Sequence, residues 1–281
     1  MRPDWSPNSE VSARFEPAPA GSRFVLTYLP SGAERGTIVF AAPFAEEMNK
    51  SRRMVAQASR ALAAAGWRVI ECDLYGCGDS AGEFSEATWE QWVADLGRIV
   101  QAEAQPNRAL WLWGLRAGAL LLPPLLESHA AANVLLWQPA LDGAQVLGQF
   151  LRMRTAASLL EAGNSIDRRT LREQLARGES VEVAGYVLGA GLANGLALAR
   201  LHLPPDFGGS IVWIDVAEDA ASPQSVAAEK LLASWHDAGH AVDFQRVAGP
   251  AFWQTVEIAE VPELSGRTVA ALERALPAAW A

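Results

Sequence analysis

Two glycines bracket the pentapeptide Gly114-Leu115-Arg116-Ala117-Gly118, where the apolar run Ala109 to Trp113 gives way to small residues. That spacing is the frame of a nucleophile elbow, G-x-S-x-G, in which a sharp strand-to-helix turn lifts a serine hydroxyl clear of the sheet. Arg116 holds the serine's position. A guanidinium offers five N–H donors and no lone pair, and it stays protonated at physiological pH, so it cannot attack a carbonyl carbon. The frame predicts the shape of a hydrolytic site without its attacking atom.

A cation at such a turn needs an anion. The amino end of the following helix already carries roughly half a positive charge, which disfavours a lone guanidinium there. The counter-charge is either internal, with Glu46, Glu47, Asp79 and Asp215 as candidates, or a ligand carboxylate, phosphate or sulfate held bidentately. The other members of a triad follow the nucleophile in the order acid, then histidine. Asp215, Glu218 and Asp219 stand where an acid belongs, but the stretch Ala248-Gly249-Pro250-Ala251-Phe252-Trp253-Gln254-Thr255 holds no histidine. His129, His202, His236 and His240 all precede it. With nucleophile and base both missing, the ordinary activation of a hydroxyl is lost.

Two further stretches are able to line a pocket. Asp73-Leu74-Tyr75-Gly76-Cys77-Gly78-Asp79-Ser80 is a glycine-rich loop in which Asp79 and Ser80 are either pocket residues or turn-stabilising side chains bonded to nearby amides. Ser80 or Cys77 as an unorthodox nucleophile keeps an atypical esterase or thioesterase as the alternative. Pro43-Phe44-Ala45-Glu46-Glu47-Met48-Asn49-Lys50-Ser51-Arg52-Arg53 sits where an oxyanion-hole loop is expected and carries more charge than such a loop requires. Asn49, Lys50 and Arg53 suit a polar ligand, while Glu46 and Glu47 suit the positive end of a helix dipole. Phe44, Leu115, Phe252 and Trp253 are expected to wall the pocket around Arg116.

These residues need a sheet to position them. Apolar runs at Phe24 to Leu29, Thr37 to Ala42, Arg68 to Asp73, Ala109 to Trp113, Asn133 to Trp137, Ser210 to Val216 and Ala241 to Val247 read as strands. Helical periods between them, such as Met54 to Ala65 closed by Gly66, and a Thr88/Gln91 capping box before Trp92, Leu96 and Val100, give strand–helix alternation. That argues a mostly parallel sheet with helices on both faces. Pro123 and Pro124 require the helix after the elbow to kink or stop early. From Trp137 to Ser210 the alternation lapses and helical patterns such as Val146 to Leu160 take over, the place for a cap insertion. The expected division is a core over 1–140, a cap over 141–207 and the rest of the core over 208–281.

With these residues laid out, the chain resembles the exosortase A system-associated hydrolase 2 family, an α/β-hydrolase group of bacteria with PEP-CTERM sorting and exopolysaccharide loci. The resemblance rests on Pro43 to Arg53, Asp73 to Ser80, Trp111 to Leu120, Gly178-Glu179-Ser180-Val181-Glu182-Val183-Ala184-Gly185-Tyr186 and Gly249 to Thr255. It implies an α/β-hydrolase fold with a helical cap, an elbow arginine shared by the family, and a second α/β-hydrolase as neighbour and candidate partner. A histidine frequent before the Pro-Phe-Ala-Glu-Glu run is Ala42 here. The resemblance supplies no substrate.

Composition narrows the classes. A net charge of −9 over 281 residues repels phosphate backbones, which excludes nucleic acid as the expected partner. Cys72 and Cys77 read as free thiols, with too few ligands around them for a metal, and no cofactor is expected. The polar amino terminus lacks the apolar core of a signal peptide, pointing to the cytoplasm. Val183 to Ala199 is apolar but too short to span a bilayer and carries Asn194, so it is expected to be a greasy cap segment over an acyl chain, around Tyr186 to Leu198. The reading is a pseudoenzyme that binds an anionic or acyl-bearing small molecule or acyl carrier through Arg116. A docking role would instead expose Trp5, Trp89 or Trp235.

Overall fold

The computed structural model describes residues 10–158, 167–219 and 221–275. Runs of Val, Ile, Phe and Trp without polar alternation need cover on both faces, and they form the middle of a sheet. In chain order its strands are β1 (Val11–Ala18), β2 (Gly21–Tyr28), β3 (Gly36–Ala41), β4 (Trp67–Cys72), β5 (Ala109–Leu115) and β6 (Asn133–Trp137). A two-stranded hairpin, β7 (Val181–Val183) and β8 (Tyr186–Leu188), precedes the last two sheet strands, β9 (Ile211–Ala217) and β10 (Val242–Ala248). The sheet order is β1-β2-β4-β3-β5-β6-β9-β10, parallel from β4 onward and antiparallel where β2 and β1 extend that edge.

Helices cover both faces. Those of the core are α1 (Glu46–Ala64), α2 (Trp89–Glu103) and α3 (Leu122–Ser128). The insertion between β6 and β9 adds α4 (Gly143–Ser158), α5 (Arg168–Ala176) and α6 (Ala190–Leu198), and α7 (Val226–Asp237) and α8 (Pro262–Ala275) complete the set. Met54, Leu62, Leu264 and Leu272 of α1 and α8 share one apolar layer with the indoles of Trp111, Trp113 and Trp137. Trp92, Leu96, Leu122 and Leu125 of α2 and α3 lie in the opposite layer, which runs on into the insertion through Leu147, Phe150, Leu188 and Leu196.

Every strand expected from an apolar run is present. Strand β1, mostly exposed along its length, has no such run to announce it. The β7–β8 hairpin also lies outside the helical expectation for the insertion: Ala184 and Gly185 both take positive φ, 51° and 83°, the pattern of a type I′ turn. Thr88 caps α2 by accepting the Gln91 amide at 3.1 Å. The two prolines are accommodated by a change of helix type. A 3-10 stretch spans Arg116–Leu121 and α3 begins at Leu122, so Pro123 and Pro124 fall in its first turn, where missing N–H groups cost little.

No helix among the described residues is long and apolar enough to cross a membrane. The greasy segment is instead packing material. An ideal Cβ on Gly195 would lie 2.1 Å from Trp89 Cβ, and one on Gly191 would lie 2.9 Å from Thr88 Cγ2, so these glycines let α6 press onto the start of α2. Leu188, Leu192, Ala193 and Leu196 are fully buried, so these side chains of the segment serve packing. The test is Gly195→Ala: helix propensity alone favours it by about 1 kcal/mol. Overpacking against Trp89 is expected to reverse the sign, lowering the unfolding free energy by about 1–3 kcal/mol in urea titration.

Candidate functional site

In an open parallel sheet a crevice forms at the carboxyl ends of the strands where successive connections leave toward opposite faces. Here β3 feeds α1 on one face and β5 feeds α3 on the other, which places that point between β3 and β5. Arg116, the first residue past β5, sits in the left-handed region at φ 52°. The two glycines permit the bend: a Cβ on Gly114 would lie 2.5 Å from Ala119 Cα, and one on Gly118 would lie 2.1 Å from the Ala41 carbonyl oxygen. The elbow is intact, with a guanidinium carried at its apex.

That guanidinium turns onto the first turn of α1. Its Nε and one terminal nitrogen each lie 3.4 Å from Glu47 Oε1, and the other terminal nitrogen lies 3.4 Å from the Gln138 carbonyl oxygen. The group also stacks on Trp253 at 5.3 Å from the ring centroid, from the loop after β10 where a triad would place histidine. The Arg116 and Glu47 side chains are each only 15% exposed. Glu47 reaches this position because Ala45, also left-handed at φ 52°, caps α1 and swings its first turn toward the elbow. Burial pushes the Glu47 carboxyl above the usual range, opposed by Arg116 and by a hydrogen bond from the Gln254 side chain. Burial raises Asp215 as well, against a 2.7 Å hydrogen bond from Trp213 Nε1 and the charges of Arg246 and Arg116.

Solved structures resemble the chain over nearly its whole length. Est1E of Butyrivibrio proteoclasticus with ferulic acid bound superposes with a TM-score of 0.64 at 12% identity, covering 94% of this chain and 99% of that one. A thermostable carboxyl esterase from Bacillus coagulans in complex with glycerol gives 0.63 at 14% identity, over 94% and 98%. The thioesterase domain of the curacin biosynthetic pathway gives 0.53 at 13%, over 94% and 99%. The fold is the α/β-hydrolase fold. No protein-family model matches the chain, and no curated protein matches it in sequence.

Within this α/β-hydrolase fold the expected site residues separate into three groups. Arg116, Glu47 and Trp253 meet directly. Phe44, Glu46 and Glu47 line a cleft of about 270 Å³ under α4, together with Lys50, Phe150, Met153 and Gln254. Glu46 is pushed above the usual range by burial, and its Oε2 is buried without a hydrogen-bond partner among the described residues. Asn49 serves the insertion, donating to the Tyr186 hydroxyl at 2.9 Å. Arg53 pairs with Glu260 and so faces away from the cleft residues.

The remaining expectations need correction. Leu115 and Phe252 are fully buried in the layer of α1 and α8, so they support the elbow from beneath and present no wall to a ligand. Ser80 Oγ donates to the Asp73 carbonyl and accepts the Phe24 amide at 2.8 Å, a loop-fixing role that leaves it tied to backbone. Asp79 is exposed, its amide donating to Asp73 Oδ2 at 3.0 Å, and makes no contact with Arg116. Burial pushes the Cys77 thiol up to about 12, which removes the thiolate a nucleophile needs. Trp89 and Trp235 are buried and form no surface patch, while Trp5 lies outside the described residues. Gln138 and Gln254 complete the ring around Arg116 and Glu47; Gln138 carries no sequence motif, and Gln254 lies in the Gly249 to Thr255 run, where nothing in the sequence assigns it a role.

The pair makes a pH-dependent contribution whose sign follows from the raised Glu47 carboxyl. A group raised on folding contributes stability below its unfolded value, and that contribution is lost as pH rises through its folded value. Arg116→Met removes an opposing cation and is expected to raise Glu47 further. The variant should therefore lose about 1–3 kcal/mol relative to wild type at pH 7.5. Its deficit should shrink as pH falls below the ordinary carboxylate value of 4.5, where Glu47 becomes protonated in the folded and the unfolded chain alike. Urea unfolding at a series of pH values reads the difference; a deficit independent of pH would remove Glu47 as the partner that matters.

Proposed function

We propose that this α/β-hydrolase-fold protein binds an anionic or acyl-bearing small ligand, free or on an acyl carrier, and does not hydrolyse it. Arg116 is the anchor and segment 141–207 the cap over the site. The observation that carries this reading is the guanidinium at the elbow apex, with Trp253 where a base would stand. Support for a setting in exosortase and exopolysaccharide physiology, in the cytoplasm and beside a second hydrolase, comes from the sequence resemblance alone.

Contacts of 3.4 Å are at the long edge of hydrogen bonding, so Glu47 holds Arg116 without saturating it. A ligand carboxylate can take two guanidinium donors in parallel, which a single Glu47 oxygen does not. Once displaced, Glu47 is a desolvated carboxylate already biased toward its neutral form. Ligand binding is then coupled to proton uptake by Glu47, and the apolar side of the cleft, Phe44, Val146, Phe150 and Met153, receives the acyl portion.

Octanoate is the probe, measured by calorimetry. Affinity is expected to fall as pH rises from 5 to 8, with proton uptake visible between buffers of different ionisation enthalpy. Glu47→Gln should bind more tightly and lose the pH dependence, and Arg116→Ala should bind at least tenfold more weakly. In parallel, a panel of esters and thioesters should show no turnover by the wild type. Turnover that Arg116→Ala abolishes would replace this reading with an enzymatic one, and absence of octanoate binding at millimolar concentration would end it.

A further inference from the structure

A chain with a net charge of −9 concentrates unpaired positive charge in one place on its insertion. Arg152 of α4 and Arg168 and Arg172 of α5 line a depression of about 460 Å³ whose other walls are alanine, glycine, Gln145 and Gln149 of α4. Among the described residues, no carboxylate lines it. Neighbouring arginines of the insertion are answered locally: Arg169 by Glu173 at 3.7 Å, Arg177 by Glu179 at 2.7 Å, Arg200 by Asp142 at 3.3 Å. Among the described residues, Arg152, Arg168 and Arg172 have no ion-pair partner, and all three are exposed.

Local stability gives no reason for this arrangement. Arg168 occupies the first turn of α5, just after the N-cap Asp167, whose carboxylate is spent on the Thr170 amide at 2.7 Å, and there the helix dipole favours carboxylates over cations. Like charges brought to one depression also repel each other. Gly148 contributes to its floor: a Cβ there would come within 3.3 Å of an Arg172 terminal nitrogen, so the guanidinium lies across α4 at a residue with no side chain. Gln149 and Arg152 line this depression and the cleft above the elbow alike, which makes the two neighbours.

Three guanidiniums around one hollow exceed what a carboxylate can neutralise. A phosphomonoester carries about −1.5 to −2 charges at pH 7 with three strong acceptor oxygens, and arginine engages it bidentately. We propose that the depression between α4 and α5 binds the phosphate of an organic phosphomonoester whose apolar tail passes Gln149 and Arg152 into the cleft of Phe44, Phe150 and Met153. This site is separate from Arg116 and goes beyond the elbow reading.

Octyl phosphate and inorganic phosphate are the probes, titrated calorimetrically against the whole protein at 50 and 200 mM salt. Wild type should bind octyl phosphate more tightly than inorganic phosphate, and more weakly at the higher salt. The triple variant Arg152→Ala, Arg168→Ala, Arg172→Ala should lose at least twentyfold in octyl phosphate affinity and its response to inorganic phosphate. Because the three side chains are exposed and repel one another, its urea midpoint should not fall below the wild-type value, and the triple lysine variant should recover part of the affinity. Met153→Ala should weaken octyl phosphate and leave inorganic phosphate unchanged. Arg116→Ala should leave inorganic phosphate binding intact. Equal affinity of wild type and the triple alanine variant would overturn the proposal. So would phosphate binding lost in Arg116→Ala instead, which would assign the anion to the elbow, and so would no binding of either probe at millimolar concentration.

Discussion

A guanidinium that cannot shed its proton, held at a strained turn and largely withdrawn from water, imposes a requirement on everything packed around it. A desolvated charge must be paired and hydrogen-bonded or it costs several kcal/mol. Glu47, the Gln138 carbonyl and the face of Trp253 meet that requirement together. Each comes from a different part of the chain: the first turn of α1, the residue after β6 and the loop after β10. The elbow thus ties three sheet connections to one cation.

The scaffold that makes this possible is the one that presents a hydroxyl in hydrolytic relatives of the fold. Gly114 and Gly118 admit the sharp turn, and the divergence of α1 and α3 to opposite faces opens the crevice. What differs is the polarity of the apex. Where a triad needs a lone pair pointing outward and a base beside it, this chain supplies donors, a carboxylate and an indole. Donors around a partly desolvated pocket favour anions.

The insertion has a structural side and a charged side. Its inner surface, through Leu188, Leu192 and Leu196 and the close seating of Gly195 on Trp89, is continuous with the core and holds the insertion in one orientation over the strand ends. Its outer surface collects Arg152, Arg168 and Arg172, which no acid among the described residues answers. Rigid packing beneath and unbalanced charge above are the conditions under which a surface can hold an anion without first rearranging.

The strands and the elbow were legible in the sequence because they depend on local physics: β-branched and aromatic runs bury on two faces, and a G-x-x-x-G frame around a strand end admits a bend that other residues would block. The Thr88 cap belongs to the same class, since its bond to Gln91 spans three residues. Strand β1 and the β7–β8 hairpin were not legible, the first because its side chains are mostly exposed, the second because three-residue strands carry too little pattern. Which apolar residues face a ligand was also hidden. Leu115 and Phe252 lie beneath the elbow because strand register and the placement of α8 point them there. By itself the sequence determined that a permanent cation holds the serine position of an elbow frame, with no histidine in the stretch 248–255, since that follows from residue type and spacing. Only the tertiary structure decided that Glu47, among four candidate acids, answers it, because the choice depends on which loops the parallel sheet brings within a few ångströms of the turn.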